Sequence, residues 1–423
     1  DRRNDIEGHV LNLKYFQYLS LLFTEIYLDY YFNHTADMLD GLNTVLTQFN
    51  SQQKQVEQQF QPYRSDDTID DLNKVAFWNA TGSGKTLLMH VNILQYLHYY
   101  QSKHGAHAQP EQIILLTPNE GLSQQHLQEL IDSGFEASFF DKRKSTDLLG
   151  RRQIQIIDIN KIADKDGDKT VAAASLEGKN LVLVDEGHRG TGTAAGAWME
   201  RRDILCKDGF SFEYSATFGQ AVSKADNVIK KREELQKAQA KMLFATTSLN
   251  RLNDAQKAQL ALNDLQEQQA RREALREVYA KGILFDYSYK YFYQDGYGKE
   301  ANILNMKQAR DAAQQDQYLT ACLLAFYQQQ HLFAKGKTAL NDYNLEHPLW
   351  VFVGNKVNDD DSDILTILKF LADFLDPKNR TRTLEWIQSF IQNSAQLLDN
   401  KGQNTFYNRF LPLMGKRADD IYQ

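Results

Sequence analysis

A run reading ATGSGKT occupies Ala80 to Thr86, directly after the apolar stretch Val75 to Trp78, and LVLVDEGH follows from Leu181 to His188. Flexible backbone, one lysine, one hydroxyl and an acidic pair are the parts needed to hydrolyse a nucleoside triphosphate. Gly82 and Gly84 let the chain curl so that successive N–H groups, from Thr81 and Ser83 onward, point at phosphate oxygens, and a following helix adds the positive end of its dipole. Lys85 brings a compact charge to the β and γ phosphates, and Thr86 offers a hydroxyl to Mg²⁺. Asp185 is expected to share that Mg²⁺, and Glu186 to polarise the attacking water. A phosphate loop followed by a strand ending in Asp-Glu-x-His predicts a motor ATPase directed at nucleic acid. The loop departs from G-x-x-x-x-G-K-[ST] at Asn79, which stands where Gly or Ala is usual. That position is expected to pack behind the loop with little loss.

These residues need a scaffold that delivers strand ends to one crevice. Val75–Asn79, Ile113–Thr117, Ile154–Ile159, Leu181–Asp185 and Phe210–Ser215 read as short apolar strands separated by helical segments. Such alternation predicts an α/β fold with a parallel sheet. Upstream, residues 10–33 are apolar and aromatic on nearly every side, which predicts a helix buried by more than one neighbour. Residues 34–62 continue as a helix that ends in a Gln-rich stretch.

From Ser223 to Lys281 there is neither Gly nor Pro, so a long helix or a hairpin turning near Thr246 to Asp254 is expected. This segment holds 12 Lys and Arg against 8 Asp and Glu, a net of +4 inside a chain of net charge −7. It reads either as a solvated face or as a basic arm following phosphates. Beyond it, Ile283–Tyr293 predicts a strand, Ala309–Ala334 a helix, and PLWVFVGNK at Pro348–Lys356 the first strand of a second parallel sheet. The domain organisation expected is a helical segment over 1–62, an ATPase domain over 63–221, a helical insertion over 222–282 and a second lobe over 283–423.

Composition sets outer bounds. Of 423 residues, 42% are hydrophobic and 24% charged, as in ordinary globular chains. The acidic balance argues against wholesale coating of nucleic acid, so contacts are expected to be local and groove-like. Cys206 and Cys322 lack metal-ligand spacing and fit a reducing cytoplasm without a disulfide framework. No apolar run approaches the ~18 residues that span a bilayer, and no signal peptide opens the chain. Because the first residue is Asp1, an internal fragment or a chain missing its leading residues is expected.

The order of motifs resembles the superfamily 2 helicases and translocases of DEAD/DEAH-box type, in particular the helicase subunit of type III restriction enzymes and related bacterial defence proteins. ATGSGKT stands as motif I, TPNEGLSQQ at Thr117–Gln125 as motif Ia, DEGH at Asp185–His188 as motif II, SAT at Ser215–Thr217 as motif III, and Leu349–Gly354 as motif IV. The resemblance implies two RecA-like lobes, the second only begun here, with Mg·ATP as the cofactor and His188, Ser215 and Thr217 coupling the γ-phosphate to movement between lobes. It places Thr117, Pro118, Asn119 and Gln125 on the nucleic-acid backbone. Asn160 and Lys161 sit at an equivalent strand end, where they read either as phosphate contacts or as a loop cap, and Gly354, Asn355 and Lys356, closing the motif IV strand, are further candidates for nucleic-acid contact. Gln17 resembles the glutamine that reads adenine in relatives, although a plain helix-surface glutamine fits its context too.

The resemblance also implies DNA as partner, probed through duplex backbone contacts, with a methyltransferase or other defence subunits alongside. Nothing after Lys356 resembles motif V or the Q-x-x-G-R run of motif VI, and Arg380, Arg382, Arg409 and Arg417 lack that context. The second lobe is therefore expected to be truncated, with any nuclease beyond this chain. An ATP-dependent assembly switch and a DExH-type RNA helicase remain the alternatives.

Overall fold

The computed structural model describes residues 10, 12–53, 59–63, 72–141, 153–163, 170–186, 201–218, 226–298, 312–340, 347–352, 363–392 and 416–423. They form two compact units, Asp1–Lys299 and Glu300–Gln423.

Helices α1 (Tyr15–Asn33) and α2 (Thr35–Ser51) open the first unit. Strand β1 (Lys74–Asn79) leads through the glycine-rich loop into α3 (Lys85–His104). Then come β2 (Ile113–Thr117), α4 (Glu120–Asp132), β3 (Ala137–Phe139) and β4 (Ile154–Asp158). A two-residue pair, β5 (Ile162–Ala163) and β6 (Val171–Ala172), precedes β7 (Leu181–Asp185) and β8 (Phe210–Ser215). The hairpin α5 (Asp226–Phe244), α6 (Asp254–Gln259) and α7 (Asp264–Tyr279) follows, then β9 (Ile283–Tyr287) and α8 (Tyr289–Gln294).

Seven strands pair in parallel in the order β3-β4-β2-β7-β8-β1-β9. All five strands read from sequence are present. The sheet is double-sided, as burial on both faces demands. Phe210, Phe212 and Tyr214 of β8 join Phe77, Met89, Ile93, Leu115 and Leu183 in one core, while Ile114, Leu116, Val182 and Val184 enter the other. Because β8 alternates, Ser211, Glu213 and Ser215 face away from its aromatics.

Glu213 is thus buried, and it is paired there. Its carboxylate accepts from Arg202 Nη1 at 2.9 Å and from the Tyr279 hydroxyl at 2.9 Å. Burial pushes the Glu213 carboxyl above its ordinary range, against the pull of the Arg202 guanidinium. Tyr279 ends α7, so the triad anchors the helical hairpin to the strand that carries Ser215. Arg202 also reaches the half-exposed Asp203 through Nε and Nη2 at 3.0 and 2.8 Å, so Glu213→Leu, which removes its buried partner, should cost about 3 kcal/mol, the low end for breaking a buried pair, and Arg202→Met in the same chain should recover most of that loss. Urea unfolding of the two variants checks this, and strictly additive losses would refute the pairing.

The structure corrects several expectations. Helix α1 buries one stripe (Phe16, Leu21, Leu28, Phe32) and leaves Tyr18, Leu22 and Ile26 exposed, because its neighbours α3 and β9 lie on one side. Apolar content alone does not count neighbours. The strand predicted over Ile283–Tyr293 stops at Tyr287, where Asp286 Oδ1 accepts from the Ser288 N–H and Ser288 starts α8. That strand belongs to the first sheet as the neighbour of β1, so the first unit runs on past 283 to Lys299.

The basic hairpin spends much of its charge internally. Lys231 pairs with Glu234, Arg232 with Glu267 and Lys237 with Glu233, and Arg276 lies over the rings of Phe49 and Phe60.

The described part of the second unit is helical: α9 (Ala312–Leu340), α10 (Asp363–Leu375), α11 (Arg380–Ile391) and α12 (Ala418–Tyr422). Leu324, Phe370, Phe374, Ile387, Phe390 and Ile421 form its core. Of the strand read over Pro348–Lys356, the described residues 348–352 are neither helix nor strand, and the rest lie outside the described residues. Arg380 pairs with Asp419 at 2.8 Å, and Arg382 covers the Trp386 ring, so both have structural work here. Among the described residues no helix is long and apolar enough to cross a membrane.

Candidate nucleotide site

Strand order explains how distant motifs meet. β8 lies between β1 and β7, with Trp78 opposite Ser215 and Asp185 opposite Tyr214, so the three carboxyl ends finish level. The glycine-rich loop, the acidic pair and Ser215 therefore converge on one crevice, where open parallel sheets take ligands.

The loop is shaped by left-handed backbone at Gly82 (φ +86°) and Gly84 (φ +88°), a region glycine enters without penalty. Gly84 caps α3, whose first residues are Lys85 and Thr86. The free N–H groups of that first turn face the loop, which is the arrangement that binds anions.

Lys85 Nζ donates to Glu186 Oε1 at 2.7 Å, with both side chains nearly buried. Ser215 Oγ donates to Glu186 Oε2 at 3.0 Å, and the Ala216 N–H to Oε1 at 3.4 Å. The Thr217 N–H donates to Ser215 Oγ at 3.0 Å, so motif III is folded around the carboxylate through both residues. Glu186 itself sits at φ +50°, left-handed for a residue with a Cβ. Such a conformation costs of order 1–3 kcal/mol and persists only where surroundings enforce it. Here the lysine, the hydroxyl and a backbone bond from the Glu186 N–H to the Tyr214 carbonyl do so.

Asp185 is held differently. His126 Nε2 donates to its Oδ2 at 2.9 Å, whereas Oδ1 makes no hydrogen bond among the described residues. Mg·ATP fits this donor set on two observations. Ser83 Oγ is buried in the loop without a partner among the described residues. The open carboxylate oxygen of Asp185 and the Thr86 hydroxyl are hard ligands of the type Mg²⁺ takes beside phosphate oxygens.

Gln17 is buried against the loop and is not a plain helix-surface residue. Its Nε2 donates to the Ser83 carbonyl at 2.9 Å, and its Oε1 accepts from the Lys14 N–H at 2.9 Å. A Cβ built on Gly84 would lie 2.5 Å from that Nε2. Glycine is thus required there by closeness as well as by φ. With both ends of its amide engaged, Gln17 braces the loop. Gln17→Ala should weaken ATP binding about tenfold, the equivalent of one buried hydrogen bond of ~1–3 kcal/mol, read by titration calorimetry. Unchanged affinity would remove it from the site.

Behind the loop, the Ala80 N–H donates to the Tyr287 carbonyl at 2.9 Å, and Phe16 stacks on Tyr287 at 4.1 Å. Asn79 packs behind the loop as expected, but both polar atoms of its amide are buried without a partner among the described residues.

The residues assigned to nucleic acid divide. Thr117 and Pro118 are buried; the Thr117 hydroxyl meets Ser123 Oγ at 2.6 Å, so it secures the strand end and is closed to a ligand. Asn119 caps α4 by accepting from the Leu122 N–H, and Gln125, on the exposed side of α4, donates to Glu129. Asn160 Nδ2 donates to the Pro118 carbonyl at 3.3 Å, and Lys161 is exposed beside it. Asn119, Gln125, Asn160 and Lys161 are all exposed. His188, Gly354, Asn355, Lys356 and Arg409 lie outside the described residues. His126 was missed in sequence; only the fold, which brings its ring to the Asp185 carboxylate at the end of β7, reveals it.

A parallel sheet with a phosphate loop after β1, an Asp-Glu pair after β7 and a serine between them defines a RecA-like P-loop ATPase domain. Residues 46–220 match the family model of the type III restriction enzyme, res subunit, so this part of the chain is similar to a helicase-like ATPase domain. A search of curated proteins gives no match.

Proposed function

We propose that the chain is an ATP-dependent translocase or helicase motor acting on duplex DNA within a restriction or anti-phage system. The observation that carries this reading is the convergence of Lys85, Glu186 and Ser215 at the ends of three adjacent strands. Before nucleotide enters, Lys85 neutralises Glu186. Incoming β and γ phosphates take the Lys85 ammonium, which frees the Glu186 carboxylate to accept a proton from the attacking water. The water oxygen bonds to the γ phosphorus, the bond to the β-phosphate oxygen breaks, and ADP and phosphate leave. Thr86 and Asp185 are the residues that would hold Mg²⁺, which when bound would supply charge that offsets what develops on the phosphates. Ser215 senses the state of Glu186 because it donates to the same carboxylate, and motif III passes that state on. The exposed Asn119, Gln125, Asn160 and Lys161 hold the DNA backbone through phosphate contacts, which position without reading sequence.

Triplex displacement tests translocation directly. A protein moving along duplex DNA strips a third strand in an ATP-dependent manner. Displacement only from RNA duplexes would assign an RNA helicase, and ATP-dependent complex formation without displacement would assign an assembly switch.

A further inference from the structure

His126 belongs to α4, the helix that Asn119 caps, and its ring reaches across to the end of β7. His126 is 3% exposed; among the described residues its one hydrogen bond goes to Asp185 and its buried Nδ1 has no partner. A buried imidazole that leaves one nitrogen unsatisfied does not gain much stability from being polar. An apolar side chain of similar size would fill the same volume without that penalty. Its polar contact therefore serves Asp185. A carboxylate free to rotate about its last torsion presents either oxygen. With Oδ2 fixed at 2.9 Å, Asp185 presents Oδ1 alone.

We propose that His126 is a positioning residue for the metal-binding carboxylate: it locks Asp185 so that one oxygen faces Mg²⁺. It also ties that carboxylate to the strand end bearing Asn119, about two turns away along α4. The inference rests on the reading of Asp185 as a Mg²⁺ ligand. Groups that orient metal ligands from behind contribute about 10–100-fold in metal affinity.

The test is binding of a fluorescent non-hydrolysable ATP analogue to the full chain as free Mg²⁺ is titrated, with a parallel titration in EDTA. His126→Ala should raise the Mg²⁺ concentration for half-maximal binding about 10–100-fold and leave affinity in EDTA unchanged. His126→Gln, which can place an N–H near the position of Nε2, should recover most of the shift. His126→Asn, polar but too short, should behave as alanine does and substitutes for it if His126→Ala does not fold. A Mg²⁺ requirement equal to the parent's in His126→Ala or His126→Asn overturns the proposal. So does an equal loss with and without Mg²⁺, which marks a merely structural role. If the parent itself binds the analogue without regard to Mg²⁺, the reading of Asp185 fails, and that result is distinct from the other two.

Discussion

Glu186→Gln should leave ATP bound and stop its turnover. The amide keeps the shape of the side chain and can still accept from Ser215, yet it cannot take a proton from water. A loss of ~10²–10⁴-fold in turnover is expected for removing a general base. The 2.7 Å contact of Lys85 with the carboxylate adds a sharper expectation. Removing the charge that competes for Lys85 should leave ATP affinity equal to the parent's or tighter. Rapid-quench turnover and equilibrium binding separate the two quantities. Equal losses in both would mean that Glu186 holds nucleotide and does no proton chemistry.

Lys85→Ala is expected to remove activity by another route. Lys85 Nζ is the cation 2.7 Å from Glu186 at the loop, and its removal takes away the charge that would meet the phosphates. Loss of one donor aimed at developing charge costs about 10²–10³-fold in rate. Nucleotide affinity should fall with it, in contrast to Glu186→Gln. The variant also leaves Glu186 nearly buried without its cation, so circular dichroism and thermal unfolding must accompany the rate. A folded Lys85→Ala protein hydrolysing ATP at the parent rate would place the chemistry elsewhere.

The difference between these variants shows what the sequence made legible. Motifs I, II and III announce themselves because each sits at the end of an apolar strand, and the strand pattern survives in one dimension. Their mutual contacts follow from parallel strand order, in which β8 separates β1 from β7. Gln17 was legible as a candidate but its work was not, since the bond to Ser83 spans 66 positions and depends on how α1 lies against the loop. Thr117 shows the reverse failure. The motif suggested a nucleic-acid contact, but the last residue of a strand buried along its whole length points inward, and its hydroxyl went to Ser123. His126 carried no signal at all, because a histidine inside an amphipathic helix looks like any other until the helix is docked. The edge strand β9 was recognised as a strand but grouped with the second lobe and given no sheet, since periodicity identifies a strand and says nothing of its partner.

The most direct measurement is steady-state ATP hydrolysis by the protein with and without Mg²⁺, in the absence of nucleic acid and with saturating duplex DNA. No turnover is expected without Mg²⁺, slow turnover with Mg²⁺ alone and a marked rise on adding duplex DNA, all lost in Lys85→Ala. Hydrolysis that ignores both Mg²⁺ and DNA, or that persists in Lys85→Ala, would contradict this expectation.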